Sequence, residues 1–344
     1  MSPTTTTILI SSLATGTIIT TSSYHWFMAW VGLEMNTLAI IPMISKQHHP
    51  RATEAATKYF LTQAAASAMI LFSSTTNAWL SGTWDIINSS HPIANALLTV
   101  AIAMKLGLAP MHFWLPEVLQ GSTMKTAMII ATWQKLAPMA LIYQTSNNLS
   151  PTILLILGMT SAALGGWAGL NQTQTRKIMA YSSIAHLGWM STIIMIMPNI
   201  MLLNLFIYLL TTVSMFYSLI LLGSKTIKDM TTSWTTSPMT ASMTMLILLS
   251  LAGLPPLTGF IPKWLILEEL TMQNLTTTAI IMAMSALLSL FFYLRLAYSS
   301  TITLSPNTTT TTHKWRFKQM TNTLLLSITL PMTIMLIPLT PTLC

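Results

Sequence analysis

About eleven stretches of mainly apolar residues, each long enough to cross a lipid bilayer, follow one another along the chain. A transmembrane helix needs about 20 such residues to span the hydrocarbon. They lie near 3–21, 24–44, 57–80, 93–114, 124–144, 151–170, 177–197, 200–222, 239–267, 276–298 and 322–341. Because backbone polar groups in lipid must be hydrogen-bonded within the protein, this pattern predicts an all-α, polytopic transmembrane helical bundle.

The chain carries too few charges to build a water-exposed surface. Only 6% of its 344 residues are charged and 52% are hydrophobic, whereas soluble domains carry about 25% charged residues. The formal charge of +8 does not indicate nucleic-acid binding, because the basic residues form no patch with interleaved aromatics. Since no linker or composition shift divides the sequence, we expect one integral membrane domain over residues 1–344.

The loop charges support this count of helices. If the N-terminus lies on side A and the helices alternate in direction, side A receives twelve of the 15 Lys and Arg residues and side B receives none. The twelve are Lys46, Arg51, Lys58, Lys125, Arg176, Lys177, Lys225, Lys228, Arg295, Lys314, Arg316 and Lys318. The positive-inside rule then makes side A the cytoplasm-equivalent side.

Four ionisable residues remain near the middle of predicted helices: Glu34, Lys105, Lys135 and Lys263. At 1.5 Å per residue they lie too deep for easy snorkelling. A charge at a helix centre costs roughly 2.5–3.5 kcal/mol on insertion scales, so such residues usually have a function. A Glu34–Lys105 pair that only fixes helix packing is the alternative, but it leaves the other two lysines without a carboxylate. We therefore expect a proton relay.

Glycine and proline interrupt two of the predicted helices beside these lysines. The fourth helix contains the segment 105–117 and the ninth contains the segment 253–264. Proline removes an amide donor and clashes with the preceding turn, so both helices should break or kink. A kink that serves packing alone is the alternative. Breaks five helices apart run in opposite directions, which is typical of inverted repeats that meet at a midplane site. We therefore expect two inverted five-helix repeats, at about 1–145 and 150–298, and a final helix at about 322–341.

Histidine and cysteine usage limits the metal and cofactor chemistry. His186, inside the seventh predicted helix, is a candidate additional relay because imidazole exchanges protons near neutral pH. The alternatives are a structural histidine, or haem ligation by His112 together with His186. The lone cysteine, Cys344, excludes a disulfide framework and Cys-ligated iron–sulfur or zinc centres within this chain. We expect this chain to bind no cofactor and no metal.

Long segments of the sequence resemble the family of NADH–ubiquinone oxidoreductase chain 2, and their spacing is nearly constant from about residue 24 to the end. They are His48 to Gln63, Met104 to Glu117, Trp133 to Pro138, Gly169 to Gln174, Arg176 to His186 and Gly253 to Lys263. Members of this family, which is related to Mrp-type cation/proton antiporters, carry a glutamate and three lysines in the relay. The resemblance places these at Glu34, Lys105, Lys135 and Lys263.

The resemblance implies a mitochondrially encoded membrane-arm subunit of respiratory complex I, multi-pass in the mitochondrial inner membrane with its N-terminus on the matrix side. Its function would be an antiporter-like proton channel, coupled to electron transfer from NADH to ubiquinone in other subunits. The NADH, flavin, iron–sulfur and ubiquinone sites would belong to those partners. Antiporter-like neighbours, other membrane-arm subunits and membrane lipids would surround the chain. The alternatives are a stand-alone cation/proton antiporter and a structural subunit without conduction of its own.

Overall fold

α-Helices form the regular structure of the chain. The computed structural model describes residues 2–47, 49–89, 91–301 and 323–342. Within these ranges, the β-type pairing is limited to two isolated bridges, His25 with Asp85 and Gln174 with Thr226. The predicted all-α class is therefore confirmed. Features of the sequence analysis that lie outside the described residues are His48, Lys314, Arg316, Lys318, Cys344 and the start of the final predicted helix at 322.

The chain divides into two compact units, Met1–Ser161 with Leu187–Pro198 and Ala162–His186 with Asn199–Cys344. The helices of the first unit are α1 (Pro3–Ser22), α2 (Trp26–Ile44), α3 (Pro50–Ser81), α4 (Pro92–Leu106), α5 (Trp114–Gly121), α6 (Met124–Ala131) and α7 (Trp133–Thr145). Helices α8 (Pro151–Gly169) and α9 (Thr175–Ile193) contribute residues to both units. The second unit contains α10 (Pro198–Leu222), α11 (Ile227–Thr236), α12 (Pro238–Ala252), α13 (Phe260–Met272), α14 (Thr276–Thr301) and α15 (Leu324–Met335).

Each of the eleven predicted spans contains at least one α-helix within the described residues. Eight correspond to one helix each, and three are divided by a break into the pairs α4/α5, α6/α7 and α12/α13. The breaks after α4 and α12 were predicted, whereas the break at Thr132 between α6 and α7 was not. Among the described residues, four helices are each long and apolar enough to cross a membrane: α2, α8, α10 and α14. Shorter apolar helices are α4, α12 and α15.

The Thr-rich first helix packs on α2 through glycines. A Cβ on Gly16 would lie 2.9 Å from the carbonyl oxygen of Gly32, and a Cβ on Gly32 would lie 2.8 Å from that of Gly16. Such close backbone contact is typical of small-residue interfaces between membrane helices. The hydroxyls of Thr17 and Thr20 each donate to a carbonyl three residues earlier at 2.8 Å. Because these hydroxyls are satisfied within the helix, a sequence this polar can still form α1.

The helices differ from the prediction in two places. Helix α11 was not predicted, because a search for apolar stretches passes over a short polar helix. Its start is a capping box in which Asp229 N–H donates to the Thr226 hydroxyl at 3.3 Å and Thr226 N–H donates to the Asp229 carboxylate at 2.9 Å. The final helix was predicted to reach 341, but α15 ends at Met335 and a 3-10 helix, Ile337–Thr342, follows. Pro338 explains this end, since it has no N–H to donate to the Ile334 carbonyl in the last turn of α15.

Candidate proton-transfer site

Glycine fixes the end of α4 directly after Lys105 and Leu106. Gly107 has a left-handed conformation with φ of 79°, which glycine adopts without strain. The Leu108 N–H donates to the Ala103 carbonyl at 3.0 Å, and the Gly107 N–H donates to the carbonyls of Ala103 and Met104 at 2.9 and 3.1 Å. The bonds from Leu108 to Ala103 and from Gly107 to Met104 form a Schellman cap. The carbonyls of Lys105 and Leu106 are left to other donors, and the Met104 carbonyl can accept a second one.

Side chains from three other helices supply donors to those carbonyls. The donors are the Trp114 indole to Met104 at 3.3 Å, the Gln63 amide to Lys105 at 3.4 Å and the Lys135 ammonium to Leu106. A helix C-terminus carries partial negative charge, so it stabilises a cation placed there. The break therefore provides a site for the charge of Lys135. The contacts of Trp114 and Gln63 could not be predicted, because nothing in the sequence relates their positions to the end of α4.

Lys105 and Lys135 line one cavity inside the first unit. Lys105 is 4% exposed and Lys135 is 1% exposed. The other lining residues are Leu33, Asn36, Thr37, Tyr59, Gln63, Trp114, Gln134, Ala137 and Pro138. The Lys135 ammonium also lies 5.5 Å from the centroid of the Trp114 ring, within range of a cation–π interaction. The volume open to the centre of a water-sized sphere is about 10 Å³, which is about the room that one water molecule needs.

Glu34 of α2 acts on Lys105 through space and not through a salt bridge. Its Oε2 atom and the Lys105 ammonium are both buried, and neither has a hydrogen-bond partner in the described part of the chain. Glu34 nevertheless interacts electrostatically with Lys105. In the same ranges the salt bridges are both formed by Lys58, with Glu54 and Glu117. The direct Glu34–Lys105 pair, which the packing alternative required, is therefore not formed.

The second unit repeats the same arrangement at its own break. Helix α12 ends at Ala252, and Gly253 follows with φ of 77°. The ammonium of Lys263, from α13, donates to the Ala252 carbonyl at 2.9 Å. A Cβ on Gly253 would lie 3.0 Å from the Lys263 Nζ. Glycine at this position therefore both ends the helix and leaves room for the lysine.

The two candidate histidines lie in aromatic surroundings. The ring centroids of His186 and Tyr208 are 5.6 Å apart, and Lys263 interacts electrostatically with His186. A relay role for His186 stays a prediction. His112 is buried and stacks on Phe113 with centroids 4.4 Å apart. Across the described ranges, no group of three or more His, Cys, Asp or Glu residues is placed to hold a metal ion.

The segments that follow the two breaks have the same spacing of glycine and proline. In each, prolines stand three and nine positions after the left-handed glycine, Gly107 or Gly253. The tenth position is Glu117 in the first segment and Lys263 in the second. The first break therefore has no lysine at this position, and its last carbonyl is bonded by Lys135 of α7.

Comparisons with known proteins identify the family of the chain. The family "NADH:quinone oxidoreductase/Mrp antiporter, TM" matches residues 23–289, and "NADH dehydrogenase subunit 2 C-terminus" matches residues 290–344. NADH-ubiquinone oxidoreductase chain 2 of Salmo salar is 58% identical over 99% of this chain and 98% of that protein. The chain belongs to the NADH-ubiquinone oxidoreductase chain 2 family. Its counterpart in Xenopus laevis is 56% identical over 99% of both chains, so the resemblance drawn from the motifs is confirmed.

Solved structures share the fold of this family member. A chain of respiratory complex I from Thermus thermophilus, solved with bound aureothin, has a TM-score of 0.79 and 25% identity, covering 96% of this chain and 78% of that one. A chain of the membrane-bound sulfane sulfur reductase, an archaeal respiratory membrane complex, has a TM-score of 0.82. At 17% identity, with 97% of this chain and 72% of that one covered, this second likeness shows the fold alone. The chain is thus an all-α, multi-pass membrane protein.

Proposed function

We propose that Glu34, Lys105, Lys135 and Lys263 carry protons through the membrane arm of NADH:ubiquinone oxidoreductase. The chain is a membrane subunit of that enzyme and forms an antiporter-like, proton-translocating module. The observation that carries the assignment of residues is the cavity that Lys105 and Lys135 share, with both ammonium groups buried. Lysine suits a relay because, unlike arginine, it can release its proton when it is buried.

Each residue has a distinct role in this proposal. The charge of Glu34 adjusts how firmly Lys105 holds a proton, and Lys135 accepts the proton from the shared cavity. Lys263 passes it onward, with His186 as an additional relay. The hydrogen bonds from Lys135 and Lys263 to helix-end carbonyls support these roles, because a helix C-terminus stabilises the protonated form of a lysine.

We also propose that residues at about 1–145 and 150–298 are two inverted five-helix repeats of one integral membrane domain. The shared spacing after Gly107 and Gly253 supports this division. In transporters with inverted repeats, broken helices form the substrate and ion sites. Two breaks, each with its own lysine, would then provide two steps of one pathway.

The surroundings of the chain follow from the same proposal. The chain lies in the mitochondrial inner membrane with its N-terminus on the matrix side, among lipids and antiporter-like neighbours of complex I. The Lys and Arg residues that the predicted topology collects on side A support this orientation. NADH, flavin, iron–sulfur clusters and ubiquinone bind to partner subunits, which carry out the electron transfer.

The substitution Lys105→Ala, in the assembled enzyme reconstituted into liposomes, tests the proposal. We expect fewer protons moved per electron while NADH oxidation and assembly persist, because the cavity loses one of its two exchangeable protons. Lys58→Ala is the control, since Lys58 is half-exposed and ion-paired outside the cavity. A normal proton-to-electron ratio in Lys105→Ala would favour a structural subunit. Cation/proton exchange by the purified chain alone would favour a stand-alone antiporter.

A further inference from the structure

Asn36 is a buried polar side chain that the proposed relay does not use. It lies on α2, two residues after Glu34, and is 2% exposed. Both its amide nitrogen and its amide oxygen are buried, and neither has a hydrogen-bond partner among the described residues. An amide left unpaired in a protein interior is strongly unfavourable. Buried amides without a protein partner are typical of sites that hold a water molecule or another ligand.

The neighbourhood of Asn36 indicates what that ligand is. Asn36 lines the same cavity as Lys105, whose ammonium also lacks a partner in the described ranges. The cavity has about 10 Å³ for the centre of a water-sized sphere, about the room of one water molecule. Water both donates and accepts hydrogen bonds, so a single molecule can serve an ammonium and an amide together.

Two contacts hold this part of α2 in place. The amide oxygen of Asn36 would lie 2.4 Å from a Cβ on Gly16 of α1, so glycine at that position leaves the space that the amide occupies. The Gln134 amide donates to the Asn36 backbone carbonyl at 3.1 Å. Gln134 precedes Lys135, so this bond connects Asn36 directly to the helix turn that carries the second lysine.

We propose that Asn36 binds one water molecule that bridges its amide to the Lys105 ammonium. The water is the carrier through which Lys105 exchanges its proton within the cavity, and Asn36 is a positioning residue that fixes its place. This inference rests on the proposed function and adds to it a defined water site. It also gives α1 a role, since Gly16 makes the space for the amide.

The first measurement is a structure of the intact enzyme that resolves ordered water. We expect a water molecule within roughly 2.6–3.2 Å of both the Lys105 Nζ and the Asn36 amide. A dry cavity, or an Asn36 amide bonded to a protein group, would overturn the inference. This measurement needs no substitution, so it does not depend on whether any variant assembles.

The second measurement compares Asn36→Leu with Thr20→Val in the assembled, reconstituted enzyme. Leucine keeps the shape of asparagine without its hydrogen bonds, and we expect roughly tenfold slower proton transfer. The solvent isotope effect of heavy water on turnover should increase, because proton transfer becomes rate-limiting. A packing defect would lower only the amount of assembled enzyme. Thr20 is a matched control, as it is buried in the same α1–α2 interface and its hydroxyl is satisfied within α1.

The variant Lys105→Ala separates failure of this inference from failure of the proposed function. If Lys105→Ala pumps poorly while Asn36→Leu pumps normally with an unchanged heavy-water effect, the relay stands and the water site at Asn36 is wrong. If Lys105→Ala itself pumps normally, the proposed proton route is wrong, and a water molecule found between Asn36 and Lys105 is not a proton carrier.

Discussion

Lys135 and Lys263 occupy equivalent positions at two helix breaks, since each donates a hydrogen bond to the last carbonyl before a left-handed glycine. In the first unit the lysine comes from α7, and in the second it comes from the half-helix after the break. The carbonyl end of a helix attracts the charged form of lysine more than the neutral form. Loss of the proton from either lysine therefore weakens its hydrogen bond to the last carbonyl of the helix. The protonation state of the lysine and the geometry of the break are thereby coupled.

Substitutions of Lys135 should separate its two roles. In Lys135→Arg a cation still reaches the Leu106 carbonyl, but arginine does not release its proton, so we expect normal assembly and a large loss of proton pumping. In Lys135→Met the Leu106 carbonyl loses its donor, which costs about 1–3 kcal/mol, so assembly should fall as well. The measurements are the amount of assembled enzyme and the proton-to-electron ratio. Normal pumping in the arginine variant would show that the proton of Lys135 is not transferred.

Glu34→Gln should lower pumping without disturbing the fold. Glutamine keeps the size of the side chain and removes the negative charge that acts on Lys105, and no salt bridge is lost because Glu34 forms none in the described part of the chain. Glu117→Gln is the matched control, since it removes a half-exposed carboxylate that pairs with Lys58. Proton flux at equal NADH turnover is the readout. Equal flux in the two variants would contradict a role for the Glu34 charge.

Much of the fold could be predicted because backbone polar groups in lipid must be hydrogen-bonded within the protein. The lengths of the apolar stretches located the transmembrane spans. The Gly and Pro residues near Gly107 and Gly253 located two breaks. The break at Thr132 could not be found this way, because the nearest proline, Pro138, lies six residues later within α7. Threonine is a common residue inside these helices, as Thr17 and Thr20 show, so Thr132 carries no signal of its own.

The site was predicted less completely than the fold. Buried charge predicts Glu34, Lys105, Lys135 and Lys263 as candidates, since charge at bilayer depth is rare. Their partners are long-range: Lys135 bonds to a carbonyl 29 residues away and Gln63 to one 42 residues away. Neutral residues such as Asn36 have no distinguishing mark in the sequence, and their burial without a partner appears only in the structure.

Helix α11 should lose stability as the pH falls below the ordinary pKa of an aspartate. Partial burial by itself raises the pKa of Asp229, but the N–H groups of Thr226 and Lys225 outweigh it and hold the pKa below its usual value of 3.8. A lowered pKa means that the stabilisation is present above about pH 4 and is lost as the carboxylate becomes protonated. The protection of the α11 amides against hydrogen exchange, taken relative to the intrinsic exchange rate at each pH, should therefore fall in that range. Asp229→Asn keeps an acceptor oxygen but loses the charge, so its α11 amides should be somewhat less protected at neutral pH and show no such acid dependence.

The last prediction uses two glycines that share a backbone conformation but differ in their neighbours. Gly253 and Gly223 have φ of 77° and 64° and end α12 and α10. A Cβ on Gly253 would lie 3.0 Å from both Cδ and Nζ of Lys263, whereas a Cβ on Gly223 would meet nothing within 4 Å. Alanine at either position costs roughly 1–2 kcal/mol of left-handed strain. Both variants should therefore be destabilised to a similar extent.

Only Gly253→Ala should push the Lys263 ammonium away from the Ala252 carbonyl, which it contacts at 2.9 Å. We therefore expect Gly253→Ala to pump fewer protons per electron and Gly223→Ala to pump normally, once both are compared at equal amounts of assembled enzyme. A thermal unfolding midpoint measured on each complex checks that the strain is matched. Equal pumping by the two variants would mean that the contact between Lys263 and the end of α12 serves packing, and Lys263 would then have no demonstrated part in the proton route.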